Sequence, residues 1–200
     1  MTVARKMPMT SKPAELNYDG QKIEFPVTEG SEGERGIDIN KLRDTTGLIT
    51  IDNGFMNTAA TSSAVTFLDG EKGILRYRGY PIEELAEKST FIEVSYLLIY
   101  GELPTAARLK WFEGQIAKHS ETKEGVKSII KSFPKDAHPM GVCAAAVVSL
   151  SGFYPEFIEG DLSEAQKDEV IPQLMAQVKN IAAYQYRASL GKDLIDAQPK

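Results

Sequence analysis

The chain has 200 residues and a mass of 22.0 kDa, enough polypeptide for one substantial core with a small appendage. Its 23 Lys+Arg against 28 Asp+Glu give a net charge of −5 with no basic block, which argues against a nucleic-acid backbone as partner, and 42% hydrophobic with 8% aromatic content excludes a disordered or collagen-like polymer. A single cysteine, Cys143, excludes an internal disulfide framework and a cysteine-cluster metal site, and fits a reducing compartment.

The first stretch, 1–13, carries basic residues with no apolar run behind them and reads as a flexible terminus, not a secretory signal. A hairpin follows. Residues 14–18 and 21–27 flank Asp19-Gly20, a strong two-residue turn signal, and Ile23, Phe25 and Val27 alternate as a half-buried strand requires. Gly30, Gly33 and Gly36 lie among acidic residues and read as loop, 38–43 as a short helical turn, and 48–51 as a short strand. Residues 64–68 are expected to pair with 74–77 across Asp69-Gly70-Glu71-Lys72-Gly73.

At Gly79-Tyr80-Pro81 the hydrophobic period changes from 2 to 3.6. The reading is therefore a small β-rich domain over 14–79 and a helical domain over 80–200. Pro81 with Glu83 and Glu84 opens a helix. Residues 91–100 are apolar nearly all round, so burial is expected, with Gly101 and Pro104 as the stop. Thr105 caps a helix carrying Leu109, Phe112 and Ile116 on one stripe; Val126, Ile129, Ile130 and Phe133 form another stripe, ended by Pro134. Residues 137–155 carry no formal charge, but only 142–150 are strongly apolar, too few to span a bilayer. The expectation is a cytoplasmic protein with one very buried helix from Pro139, rich in Gly, Ala and Val. A last long helix opens at Ser163 and presents Ile171, Leu174, Met175, Val178, Ile181 and Ala182 on one face, ending near Gly191.

Few residues carry chemistry. His138 precedes proline, which disfavours the αR region, and so reads as a cap for the helix beginning at Pro139. His119 falls in the last turn of its helix, where a donor meets exposed carbonyls. Cys143 has small apolar neighbours and nothing to lower its thiol pKa. Residues 70–73 lack phosphate-loop spacing, and Asp161, Glu164, Asp168 and Glu169 lack that of an EF-hand, so no metal is assigned. Arg76 and Arg78 sit at strand spacing and could grip a carboxylate or phosphate, or pair with Glu71 or Glu83; spacing alone leaves both open. Residues alone give a helical body with a β appendage and no complete catalytic set.

From Phe67 to Ala86 the sequence FLDGEKGILRYRGYPIEELA closely resembles the citrate synthase signature DGxxGILxxRGxPIxxLA. The run from Leu97 to Thr105, the stretch from Phe133 to Met140, and Tyr186 to Gly191 agree in order, so the resemblance covers nearly everything from about Gly47. It implies a mainly α, multi-helical body with a small β-rich amino-terminal domain of the bacterial hexameric type. It also implies condensation of acetyl-CoA with oxaloacetate and water to citrate and CoA, the entry to the tricarboxylic acid cycle. Acetyl-CoA is then a substrate, and no cofactor is expected.

The family's catalytic histidines, aspartate and arginines map downstream of Lys200, so none is expected in 1–200, and the chain reads as a truncated amino-terminal part, inactive alone. The resemblance implies a homodimer at least, with a hexamer as the larger option, and no nucleic-acid or membrane partner. Two alternatives are carried: 2-methylcitrate synthase, and a non-catalytic helical interaction module should the chain be complete. Hexameric members often bind NADH in this half. Their Arg-His pair corresponds to Lys118-His119 and their tyrosine to Tyr154, while two basic positions correspond to Gln173 and Gln177, which implies weak or absent NADH inhibition.

Overall fold

The computed structural model describes residues 12–158 and 160–197; most of the stretch read as a flexible terminus lies outside them. The chain divides into two compact units, 1–63 and 64–200.

In the first unit β1 (Ala14–Tyr18) pairs antiparallel with β2 (Gln21–Phe25), Tyr18 opposite Gln21. Asp19 and Gly20 both take positive φ, 50° and 76°, the geometry in which a two-residue turn matches strand twist. Pro26 has no N–H to donate and divides the expected strand 21–27 in two. Its carbonyl accepts from the Asp38 N–H at 2.8 Å, and β3 (Val27–Glu29) goes on to pair with β4 (Arg35–Ile37). Gly36, read as loop, is therefore a strand residue. The helical turn expected at 38–43 lies further on, as α1 (Leu42–Thr46), because Asp38 accepts from the Asn40 N–H and holds that segment as a turn. The strand expected at 48–51 does not form. Among the described residues no strand pairs with it, and the chain then bends around the Asp52 carboxylate, which accepts from the N–H groups of Met56 and Asn57 and the Thr58 hydroxyl.

The second unit opens with a meander, β5 (Thr66–Asp69), β6 (Ile74–Tyr77) and β7 (Tyr80–Pro81), in that order. Although these strands share their period with the hairpins, they lie in the helical unit. Arg78, at φ 51°, joins them to it by donating Nε and Nη2 to the Leu98 carbonyl at 3.2 and 2.7 Å.

The helices follow: α2 (Ile82–Lys88), α3 (Phe91–Tyr100), α4 (Ala106–Lys118), α5 (Glu124–Ser132), α6 (Pro139–Phe153), a 3-10 turn (Pro155–Ile158) and α7 (Glu164–Ser189). Caps set their starts. Thr90 with Glu93 and Ser163 with Gln166 form reciprocal capping boxes, Thr105 accepts from the Arg108 N–H, and Gly101 at φ 92° closes α3. Val126, Ile130, Val142, Ala146, Leu150, Ile181 and Tyr184 form a dry core among α5, α6 and α7, and Tyr96, Phe112, Ile116 and Ala176 form a second among α3, α4 and α7. Among the described residues no helix is long and apolar enough to cross a membrane.

Three burial expectations change. Only Tyr96 and Leu97 of α3 are fully buried, since its first turn lies at the surface and leaves Phe91 exposed. In α6 one face is buried (Val142, Ala146, Leu150) while Met140 and Val148 are 69% and 72% exposed. The buried face of α7 is Pro172, Gln173, Ala176, Gln177, Asn180, Ile181 and Tyr184, and the expected apolar residues Leu174 and Val178 stand 38% and 42% exposed. The cause is a set of backbone carbonyls at the end of α4 that need donors.

Candidate functional site

Helix α4 ends at Lys118, and a helix end leaves its last carbonyls without intrahelical donors. Helix α7 supplies donors. Gln177 Nε2 donates to the carbonyls of His119 and Glu121, both at 2.9 Å, and Asn180 Nδ2 donates to the Ser120 carbonyl at 2.6 Å and to Thr122 Oγ1 at 3.1 Å. Gln177 and Asn180 are buried for this reason, and Gln173 one turn earlier is buried beside them, on a face that hydrophobicity alone would turn outward.

His119 and Gln173, at the edge of this seam, line an open cleft of about 480 Å³ that the end of α6, the 3-10 turn after it and the start of α7 also border. His119, Lys123, Tyr154, Glu156, Gln166, Glu169 and Gln173 are its polar lining, and Phe153, Leu162 and Val170 the apolar part. The sequence brings these residues together through three local devices. Tyr154 follows the last residue of α6 and packs on Phe157 of the 3-10 turn, centroids 5.2 Å apart. The Phe153 ring lies on Gly125 in α5, where a Cβ would stand 2.3 Å from Cζ. The capping box at Ser163 starts α7 so that Glu169 and Gln173 share one side.

Electrostatically the cleft is mixed. Burial, and then the neighbouring Lys118, push the His119 imidazole below its ordinary pKa, with Glu169 and Glu156 opposing, so the ring is neutral at pH 7. Its Nε2 is buried without a partner, as is Gln177 Oε1. Burial raises the Tyr154 hydroxyl above its ordinary value, helped by Glu156 and Glu121, which keeps it protonated and a hydrogen-bond donor. Lys118 reaches Glu169 at 3.1 Å.

Of the residues singled out from the sequence, His119, Tyr154 and Gln173 meet in the cleft. Lys118 is not part of its lining, and Gln177 is committed to the two carbonyls. Lys123, Glu156 and Gln166 were not anticipated: Lys123 comes from the start of α5, Glu156 from the 3-10 turn after α6 and Gln166 from the first turn of α7, and only the tertiary fold brings them together.

The other candidates have structural partners. His138 Nδ1 accepts from the Met140 N–H at 3.3 Å, the cap read from its position before Pro139. Arg78 caps α3 through Leu98, and the Arg76 guanidinium lies over the Phe67 ring, 5.4 Å from its centroid. The acidic run disperses: Glu164 pairs with Lys167, Asp168 accepts from the Tyr100 hydroxyl, and Glu169 holds Lys118. Among the described residues no group of three His, Cys, Asp or Glu is placed to hold a metal.

Comparison with known proteins supports the resemblance read from the signature. Two solved citrate synthases share the architecture. That of Pyrobaculum aerophilum is 30% identical with a TM-score of 0.65, covering 86% of this chain and 41% of that one; that of Thermotoga maritima is 33% identical with a TM-score of 0.62, covering 75% and 38%. A third, from Thermoplasma acidophilum, solved as a ternary complex with carboxymethyl coenzyme A and oxaloacetate, shares the fold at a TM-score of 0.69 and 24% identity, over 76% of this chain and 39% of that one. Citrate synthase 1 of Mycobacterium tuberculosis is 44% identical over 186 residues, and the Corynebacterium glutamicum citrate synthase 47% over 178. These alignments take in 93% and 89% of the chain but only 43% and 40% of the relatives, so the chain spans about two-fifths of their length. Residues 54–200 match the family described as citrate synthase, C-terminal domain, and the chain belongs to the citrate synthase family.

Proposed function

We propose that the protein to which this chain contributes condenses acetyl-CoA with oxaloacetate and water to give citrate and CoA, and that the chain supplies an amino-terminal scaffold to that reaction. The observation that carries this reading is identity of 44–47% to curated citrate synthases across nine-tenths of the chain. The chemistry needs a carboxylate to remove a weakly acidic methyl proton, a donor to hold the developing enol oxygen, and a second donor to polarise the ketone. The two histidines here are placed for other work: one caps α6 and the other ends α4. The reading takes those groups, as the family resemblance implies, from the part of the family sequence that this chain does not match.

Oligomerisation belongs to the same proposal. Helix α6 carries no charged residue yet exposes Met140 and Val148, while α7 exposes Leu174, Val178 and, at 64%, Tyr186. Two neighbouring uncharged helix faces suit a second copy of the protein, giving a dimer at least, in a cytoplasmic enzyme.

The test is thiol release from acetyl-CoA in the presence of oxaloacetate, with the full-length protein and the 200-residue chain assayed separately. Activity is expected from the first only. Turnover by the 200-residue chain alone overturns the assignment of the catalytic groups, and inactivity of the full-length protein overturns the function. Faster release from propionyl-CoA moves the reading to 2-methylcitrate synthase, a distinction of one methylene worth about 1–3 kcal/mol.

A further inference from the structure

The loop that bends around Asp52 carries reactive chemistry of its own. Of the five asparagines in the chain, Asn53 alone is followed by glycine, and both Asn53 and Gly54 are exposed. We propose that Asn53-Gly54 is a site of spontaneous covalent modification, where the side-chain amide is exchanged for a carboxylate and the loop gains a second negative charge beside Asp52.

The Gly54 nitrogen gives up its proton to hydroxide and attacks Asn53 Cγ. The new N–C bond closes a succinimide ring as the Cγ–Nδ2 bond breaks and ammonia leaves with a proton from water. Water then opens the ring. Breaking the bond from nitrogen to Cγ gives aspartate; breaking the bond from nitrogen to the main-chain carbonyl carbon gives isoaspartate, with the backbone rerouted through the side chain. Nothing is oxidised or reduced, and water is the only co-reactant.

Three structural features leave this path open. Among the described residues the Gly54 N–H donates to no acceptor, so no hydrogen bond must break before it attacks. Gly54 stands at φ 119°, and no atom outside its chain neighbours lies within 4 Å of where a Cβ would be, so the approach is uncrowded. Asn57, exposed in the same loop, supplies the contrast: its attacking nitrogen would be that of Thr58, which carries a β-branched side chain and already donates to the Phe55 carbonyl at 3.4 Å. Asn180 is buried in α7 with its amide donating to the Ser120 carbonyl and Thr122, and Asn17 lies within β1.

The modification strikes the device that shapes the loop. The Phe55 N–H donates to the Asp52 carbonyl at 3.3 Å across Asn53-Gly54, and isoaspartate adds a methylene to the main chain inside that turn. The new carboxylate also competes with Asp52 for the N–H groups of Met56 and Asn57.

Full-length protein is held in heavy-oxygen water at mildly alkaline pH and physiological temperature, sampled over weeks and mapped by peptide mass spectrometry, beside a sample unfolded in guanidinium. The readout is independent of turnover and of the citrate synthase reading. Asn53 is expected to convert at least about tenfold faster than Asn57, taking up one heavy oxygen and giving both aspartate and isoaspartate. Its rate in the folded protein should lie within about threefold of the unfolded rate, since exposed loop backbone is already open. Asn53→Gln, checked for folding by circular dichroism, should remain a single charge species. In converted protein, amide exchange at Met56 and Asn57 should quicken. Conversion of Asn57 as fast as Asn53, an Asn53 that stays intact, or a folded rate far below the unfolded one overturns the proposal. So does aspartate without isoaspartate, which would bypass the ring, or unchanged exchange at Met56 and Asn57.

Discussion

The two ends of α7 are held in different ways. Beyond residue 180, Ile181 and Tyr184 close a dry core with Val126, Ile130, Val142, Ala146 and Leu150, where stability comes from apolar area removed from water. Before it, Gln173, Gln177 and Asn180 face the end of α4, and two of these amides donate to three successive carbonyls. One helix thus serves first as a cap for its neighbour and then as a packing surface. The lesson is that a buried stripe follows whatever the opposing surface lacks, which is apolar area at one end and hydrogen-bond donors at the other.

The sharpest way to break this comparison is to cut a side chain from each kind of surface. Leu150 has no exposed surface, and Leu150→Ala should cost about 2–5 kcal/mol, read from the denaturant midpoint. Leu174→Ala, on the flank of α7 that the sequence pattern would bury, should change stability by no more than about 0.5 kcal/mol in the monomeric state. An equal cost for the two at high protein concentration, lost on dilution, would show that a second subunit covers the α7 flank.

The polar end comes next. Asn180→Leu keeps the volume approximately and removes the donor to the Ser120 carbonyl and Thr122 Oγ1, leaving buried acceptors unpaired. The expected loss is about 1–3 kcal/mol, and amide exchange in the last turn of α4 should quicken more than exchange in α6. Equal acceleration in both helices would mean that the seam is not a separate device.

This division marks how much of the molecule was legible. Turn chemistry at Asp19-Gly20, the caps at Thr105 and Ser163, and the proline that opens α6 are local, so the elements they bound fall where the sequence puts them. The rotation of α7 about its axis was not legible. It depends on carbonyls 56–60 residues away in the chain, and an alternation of apolar residues carries no record of them. The cleft was half legible for the same reason. His119, Tyr154 and Gln173 could be named through the family pattern, while Lys123 at the start of α5 and Glu156 after α6, which with Glu169 set its charge, arrive only through the packing of separate elements.

A smaller effect comes from the ionic strap at the dry end. Lys127 is almost wholly buried and reaches Glu124 Oε1 and Asp196 Oδ1, each at 2.8 Å, and the Tyr184 hydroxyl also donates to Asp196. Lys127, and then Tyr184, hold the Asp196 carboxyl below its ordinary pKa. A carboxylate depressed in the folded state adds stability that is complete above its unfolded pKa and is lost as pH falls through the folded value. Unfolding free energy should therefore drop across the acidic carboxylate range, and Asp196→Asn should flatten that limb while lowering stability at neutral pH. The seam contains no carboxylate of this kind, so Asn180→Leu should leave the slope unchanged.

The least costly change tests where the two regimes meet. A Cβ on Gly125 would stand 2.3 Å from Phe153 Cζ and 2.6 Å from Cε1, so Gly125→Ala must move that ring. The ring is 40% exposed and can swing outward, and alanine in a helix recovers up to about 1 kcal/mol of backbone entropy, so the two effects should nearly cancel. At Gly114 in α4 an added Cβ meets nothing within 4 Å, and Gly114→Ala should stabilise by about 0.4–1 kcal/mol with no opposing strain. The gap between the two substitutions isolates the contact of Phe153 with α5. Because Phe153 also lines the cleft, Gly125→Ala should quicken amide exchange at the end of α6 while leaving the melting temperature nearly unchanged, and Gly114→Ala should raise the melting temperature and leave that exchange alone. Were both to raise the melting temperature alike and leave exchange at the end of α6 unchanged, Phe153 would have no fixed seat on α5, and the cleft would lack the wall assigned to it.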